Sequence, residues 1–343
     1  MNFIVNILSL GIPFSVALLI ASLGEMFNQR AGVFNLGCEG IMAMGAFLGM
    51  LVPYSIGQGG PTSGMYNVLG LALAMVVGAL FGIFFAFVVV TFRAPQGIAG
   101  IGLQMFGVGT AGTLFRHFIG GTQSVPGIGN FPIPGLSKIP FIGPIFFSHN
   151  VLVYLAFLFV PLAWYILFKT PWGLRVRAVG TNPRAADSIG IQVNRVRYQA
   201  LAVGGALAGL AGAYLSLAQV KMFSDEIIAG RGFIAVALVY FGHWHPVKIM
   251  GGALLFSLAQ ALQLAIQGQG INFPYEFAVM LPYVMVIIVL AFSRESQLLG
   301  PTSLENHSTE KSGFRISVPM AGMGVAHFCL AQIIFANLRY TAT

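Results

Sequence analysis

Charge is what this chain has least of. Only 8% of its 343 residues are Asp, Glu, Lys or Arg, against about 25% in an ordinary soluble protein. With 57% hydrophobic residues and a mean hydropathy of +0.85, a water-soluble fold has too little polar surface to cover its apolar side chains. That excludes a soluble enzyme and a soluble nucleic-acid-binding domain. Acids are scarcer still: nine Asp and Glu stand against 17 Lys and Arg, a formal net charge of +8. In so apolar a chain the basic excess is a topology signal, not the footprint of a nucleic acid. Cysteine is nearly absent. Cys38 and Cys329 lie far apart in apolar runs, so neither a disulfide nor a metal framework is expected. There is no GxxxxGK[ST] phosphate loop, no arguable Ser/His/Asp set, and no basic stretch before the first apolar run such as a cleavable leader carries. The absence of a catalytic motif points away from an enzyme.

What the chain has is apolar runs near the roughly 20 residues that a helix needs to cross a bilayer. They cover 3–23, 32–52, 68–92, 96–115, 150–168, 199–219, 249–267 and 275–293, with a shorter run at 232–242. No charged run or long polar linker separates them. The expected fold is an all-α integral membrane protein, a polytopic bundle of about 8–10 spans with broken or re-entrant helices. Residues 1–293 form one membrane domain and 294–343 an atypical tail, whose moderately apolar stretch 316–336 contains Pro319, His327 and Gln332.

Residues 169–198 concentrate Lys169, Arg175, Arg177, Arg184, Arg195 and Arg197 against one acid, Asp187. The excess of basic residues in cytoplasmic loops assigns this loop to the inside. Alternation then puts Arg30, Arg93 and Arg294 inside, and 53–67, 117–149 and the N-terminus outside. The scheme requires the short run at 232–242 to cross. The loop 117–149 carries Pro126, Pro132, Pro134, Pro140 and Pro144 and cannot be helical throughout.

Glycine is the commonest small residue, with 44 in the chain. Gly107, Gly109 and Gly112 formally match GxGxxG, but they lie in an apolar helix and not after a strand, so close packing is the reading. His243-Trp244-His245 has no cysteine or nearby acid and reads as a polar helix end at the cytoplasmic face; no metal site is expected. Residues 24–40, GEMFNQRAGVFNLGCEG, set Glu25, Asn28, Gln29 and Arg30 at a junction of two spans, with Asn35 and Glu39 inside the second. An acid inside lipid is costly, so Glu39 is either a functional group or half of a structural pair. Asn35, Glu39, Gln96 and Gln104 are the polar residues expected along a translocation path.

In the loop 169–198, Asn182-Pro183 starts a short helix that Gly190 ends. Its Ala185-Ala186 face suits docking into a groove on another protein, while the basic-inside rule alone would produce a solvated loop. Gly230-Arg231-Gly232 breaks the chain just before an apolar half-helix.

These three segments, GEMFNQRAGVFNLGCEGIM, GLRVRAVGTNPRAADSIGI and GRGFIAVALVYFGHWHP, together resemble the permease subunits of bacterial ABC importers. The superfamily is that of branched-chain amino acid and simple-sugar permeases, nearest its nucleoside and simple-sugar branch, and the similarity runs from about residue 5 to about residue 293. Arg184-Ala185-Ala186-Asp187-Ser188-Ile189-Gly190 is similar to the EAAxxxG coupling segment, with Arg184 where the pattern has Glu. The resemblance implies a multi-pass subunit of the bacterial plasma (inner) membrane that moves nucleosides or simple sugars inward. It implies a cytoplasmic ATP-binding partner, a second permease subunit in a heterodimer and an external binding lipoprotein. The chain would bind no cofactor, ATP being used by the partner. The alternative is a self-sufficient secondary transporter or channel, against which stands the scarcity of intramembrane acids: Glu39, joined at most by Glu276.

Overall fold

The computed structural model describes residues 2–56, 64–121, 124–125, 127–129, 131, 142–268, 280 and 284. The expected span 275–293, but for those last two positions, lies outside the described residues, as do the tail 294–343 and Cys329. Apolar runs become helices in chain order: α1 Asn2–Arg30, α2 Cys38–Ile56, α3 Gly64–Ala86, α4 Gln96–Phe118, α5 Ile142–Phe146, α6 Val151–Lys169, α7 Pro171–Thr181, α8 Pro183–Ser188, α9 Val193–Tyr214, α10 Arg231–Phe241 and α11 Pro246–Gly268. Single π-helical turns, Phe87–Thr91 and Leu215–Gln219, prolong α3 and α9. Among the described residues seven helices are long and apolar enough to cross a membrane: α1, α2, α3, α4, α6, α9 and α11. No strand occurs among them, only an isolated antiparallel bridge between Ser124 and Met222. The protein is an all-α polytopic membrane protein, as its hydropathy pattern predicts.

Two expected boundaries are corrected. The first helix does not stop at residue 23 but runs through the polar segment to Arg30, because Glu25, Asn28 and Gln29 bond one another along its face. The second does not begin at residue 32. The chain is non-helical from 31 to 37 and α2 starts at Cys38. The loop 169–198, in turn, is largely helical. Thr170 caps α7 through the Gly173 N–H at 3.1 Å and Asn182 caps α8 through the Ala185 N–H at 3.0 Å. Each cap is followed by proline at the first helical position.

The centre of the bundle is α2, α3 and α9, and glycine sets its spacing. A Cβ on Gly45, Gly78 or Gly212 would strike the backbone carbonyl of Gly209, Gly205 or Met42 on the facing helix. Lipid tails supply no hydrophobic drive between helices, so such close backbone approach is what holds them. The GxGxxG stretch of α4 serves the same end, with Gly107 seated on the backbone of Gly40.

Contacts sort the chain into two ends. At one, Arg30 donates to the Trp244 carbonyl (3.1 Å), Arg197 donates to the Ala31 carbonyl (3.4 Å) and Thr91 shares a hydrogen bond with Tyr198 (2.6 Å). At the other, the Val125 N–H donates to the Lys221 carbonyl (3.0 Å) and Arg116 pairs with Asp225 (2.8 Å). α10 has 11 residues, about 16 Å at 1.5 Å per residue, against a hydrocarbon core of about 30 Å. It is a half-helix. Its C-terminal end lies with Arg30, so its N-terminus begins inside the bundle.

Candidate functional site

The site is built where three chain breaks meet: the turn 31–37, the start of α2 and the start of α10. Gly32 takes φ +78° and turns the chain out of α1. Asn35 then donates its backbone N–H to Glu25 Oε1 (3.0 Å) and accepts the Gly37 N–H on its own Oδ1 (2.9 Å). The Phe34 N–H donates to Gln96 Oε1 at 2.8 Å. Unwound backbone in a membrane must find partners within the protein, and here three side chains supply them. Glu39, in the first turn of α2, accepts the Gly230 N–H (2.8 Å) and the Gly232 N–H (3.1 Å) on its two carboxylate oxygens. It is buried, with 8% of its surface exposed.

A second polar cluster lies near the C-terminal end of α1. Glu25 is buried and accepts from Asn28 Nδ2 (2.8 Å) and Gln29 Nε2 (3.2 Å). Gln29 in turn accepts the indole N–H of Trp244 at 2.9 Å. His243 and Trp244 both adopt left-handed backbone, φ +50° and +54°, which swings the indole back under α1. Burial, and then the neighbouring Lys248, hold the imidazoles of His243 and His245 below the usual histidine range; for His245, Arg30 adds to this.

Of the four residues expected along a path, Asn35, Glu39 and Gln96 accept backbone amides. Gln96 and Gln104, both on α4, keep partly exposed side chains. The structure brings Asn35 and Gln96 to the same turn, and Gln104 alongside Gly40, one residue from Glu39: a Cβ on Gly40 would lie 2.8 Å from the Gln104 Cα. Glu25 and Trp244 are not among the residues expected along a path. The 25, 28, 29 spacing on one helical face carries a signal for the first. For Trp244 there was none, because two consecutive non-glycine residues at positive φ are not legible in sequence.

On α8, Arg184, Ala185, Asp187, Ser188 and Gly190 lie on the outside, with Ile189 74% exposed. The expectation that Ala186 shares that outward surface is corrected. It is 3% exposed and packs into the core with Val179 and Val196. A one-and-a-half-turn helix has room for two faces, and adjacent alanines fall on different ones. Leu174 of α7 is a second large apolar side chain exposed at this end. Among the described residues no group of His, Cys, Asp and Glu is arranged to hold a metal.

Comparison with known proteins adds the family context. Residues 4–290 match the family described as branched-chain amino acid transport system, permease component. The chain is 37% identical over 299 residues to the guanosine ABC transporter permease protein NupQ of Bacillus subtilis, covering 84% of this chain and 92% of that protein. It is 39% identical over 284 residues to the nucleoside ABC transporter permease protein NupC of Lactococcus lactis, covering 81% and 89%. It is 38% identical over 271 residues to a putative glucose ABC transporter permease protein, TsgC13, of Haloferax volcanii, covering 78% and 79%. No solved structure matches.

Proposed function

Because the chain belongs to the branched-chain amino acid transport system permease component family, we propose that it is the membrane subunit of an ATP-driven importer carrying nucleosides or simple sugars across a bacterial inner membrane. The observation that carries this is identity of 37–39% over about four-fifths of the chain to two nucleoside-type permeases and a putative glucose permease. The helices, the half-helix α10 and the unwound 31–37 turn are the parts a transporter needs. The protein is a transport component and not an enzyme. Its transport domain is 1–293, with 294–343 a separable tail.

In this reading ATP is bound and hydrolysed by a cytoplasmic partner that docks on α8. The docking surface is Arg184, Ala185, Asp187, Ile189 and Gly190, with Leu174 beside it. A second permease subunit completes the pathway, and an external binding protein delivers substrate. The path runs along α4, where Gln104 presents an amide able to donate to and accept from sugar hydroxyls or a base, and Gln96, whose Oε1 takes the Phe34 N–H, presents its Nε2 as a donor. Alternating access requires that ATP and substrate bind the two end states unequally.

Reconstituted with its ATPase and second permease, the complex should take up labelled guanosine or glucose only with ATP inside the reach of the ATPase. Uptake that ran on an ion gradient without ATPase would replace this reading with the secondary-transporter one.

A further inference from the structure

Glu39 and Gly230-Arg231-Gly232 fit one another in three independent ways. Both carboxylate oxygens are engaged, Oε1 by the Gly230 N–H (2.8 Å) and Oε2 by the Gly232 N–H (3.1 Å). Gly230 stands at φ +79°, a conformation open to glycine and costly for other residues. Gly232 has no room for a side chain: a Cβ there would lie 2.6 Å from the backbone N and Cα of Glu39. The contact joins segments 191 residues apart. It also solves a problem that lipid cannot: the first N–H groups of a helix that begins in the membrane interior have no partner in the helix and no water. A carboxylate supplies acceptors there and complements the positive end of the helix dipole.

The segment leading into α10 has two sides. Phe223, Ile227 and Ile228 are buried, while Ser224, Asp225, Glu226 and Ala229 are exposed. Asp225 reaches Arg116 on α4, and that pair is itself exposed, 66% for Arg116 and 51% for Asp225. One end of this polar segment is thus tied to α4 and the other to α2 through Glu39. Each oxygen of Glu39 is taken up by an amide at this end of α10.

We propose that Glu39 is a positioning residue for transport: its carboxylate pins the N-terminus of α10 and so sets where Ser224, Asp225 and Glu226 stand within the protein, and substrate does not touch it. The proposal rests on the permease reading above. It also replaces the expectation that Glu39 lines the path with one in which it holds the wall of the path in place.

The test uses the reconstituted full complex in a Cys38→Ala, Cys329→Ala background. Glu39→Gln keeps the shape of the side chain but turns one acceptor into a donor facing an N–H. It should assemble with its partners at the parent level and lower the maximal uptake rate at least tenfold without changing the substrate concentration for half-maximal uptake. Glu39→Asp should recover part of the rate. In the same background Ile228→Cys, buried in the parent, should become reactive to a membrane-impermeant maleimide when Glu39→Gln is added. Gly232→Ala, which pushes α10 off α2 and leaves the carboxylate intact, should reproduce both effects. ATP-dependent uptake by the parent complex tests the permease reading on its own, whereas the labelling needs no uptake and reads the tether directly. Parent-level uptake by Glu39→Gln would overturn the proposal. So would a change confined to half-maximal concentration with Ile228→Cys unreactive, since Glu39 would then be touching substrate. Loss of assembled complex in both Glu39→Gln and Glu39→Asp would make Glu39 a folding residue and equally overturn it.

Discussion

Gly212 and Gly109 are the same residue type on two apolar helices, yet their surroundings assign them opposite fates. A Cβ at Gly212 would strike the Met42 carbonyl, while at Gly109 nothing lies within 4 Å. Overpacking a close interface costs about 1–3 kcal/mol, and a backbone carbonyl cannot step aside as a side-chain tip can. Gly212→Val should therefore lower the thermal midpoint of the detergent-purified protein by several degrees, and Gly109→Ala should leave it within error. An equal drop for both would mean that contact with the facing helix is not what is being measured, since Gly109→Ala meets nothing and favours the helix. His243 and His245 supply a second residue-scale prediction. Both imidazoles are held below the ordinary 6.5. The unfolded chain therefore takes up protons first as the pH falls below that value, and the folded turn loses stability from there downward. Above it both histidines are neutral in either state and contribute nothing. In a Trp164→Phe, Trp172→Phe protein the remaining Trp244 reports on this turn. Its emission should shift to the red between about pH 7 and 5 and less so after His243→Gln, His245→Gln. An unchanged shift in the double variant would place the transition elsewhere. At this scale the sequence announces that Glu39 needs a partner, because an acid stands in an apolar run. It cannot name the partner, which lies 191 residues away.

Elements were legible where local chemistry decides them and illegible where tertiary contacts do. Asn182-Pro183 and Gly190 bracket α8 as their capping chemistry dictates, with Gly190 at φ +85°. Among the described residues seven of the apolar runs became helices long enough to span for the same reason. The break at 31–37 was missed because Gly-Val-Phe-Asn-Leu-Gly is apolar enough to pass for a helix. What unwinds it are acceptors on other segments, Glu25 and Gln96. The two alanines of α8 show how far pattern reaches. A small-residue pair was visible, but which alanine faces out depends on how the helix lies on Val179 and Val196. The structure makes this testable. Ala185→Trp projects an indole outward and should insert at normal level, yet fail to co-purify with the ATPase and lose transport. Ala186→Trp drives the same group into the core and should lower the yield of folded protein itself. If Ala185→Trp kept full ATPase association, α8 would be a solvated connection and the docking surface would have to be sought elsewhere on that end.

At the scale of the whole molecule, charge and contacts give the same partition by unrelated routes. The helix contacts collect Arg30, Arg197, Thr91 with Tyr198, and Trp244 at one end without reference to charge. That end also carries the chain from Lys169 to Arg197, the densest basic stretch in the sequence. The opposite end holds the Arg116–Asp225 pair and the Ser124–Met222 bridge. The short α10 fits this scheme only as half a crossing, with the non-helical segment 222–230 supplying the other half. Six basic residues against one acid on one loop are costly to translocate, so the basic end is expected in the cytoplasm. Met65, exposed at the start of α3, and Ser188, exposed on α8, then stand on opposite sides of the membrane. In a Cys38→Ala, Cys329→Ala background, a membrane-impermeant maleimide added to intact cells should label Met65→Cys and miss Ser188→Cys. Permeabilised cells should label both. The converse pattern would invert the protein, move α8 outside the reach of any cytoplasmic ATPase, and remove the physical basis for coupling through it. Labelling of both in intact cells would instead require a water-filled route to the α8 surface, a state in which the inner gate stands open without its partner.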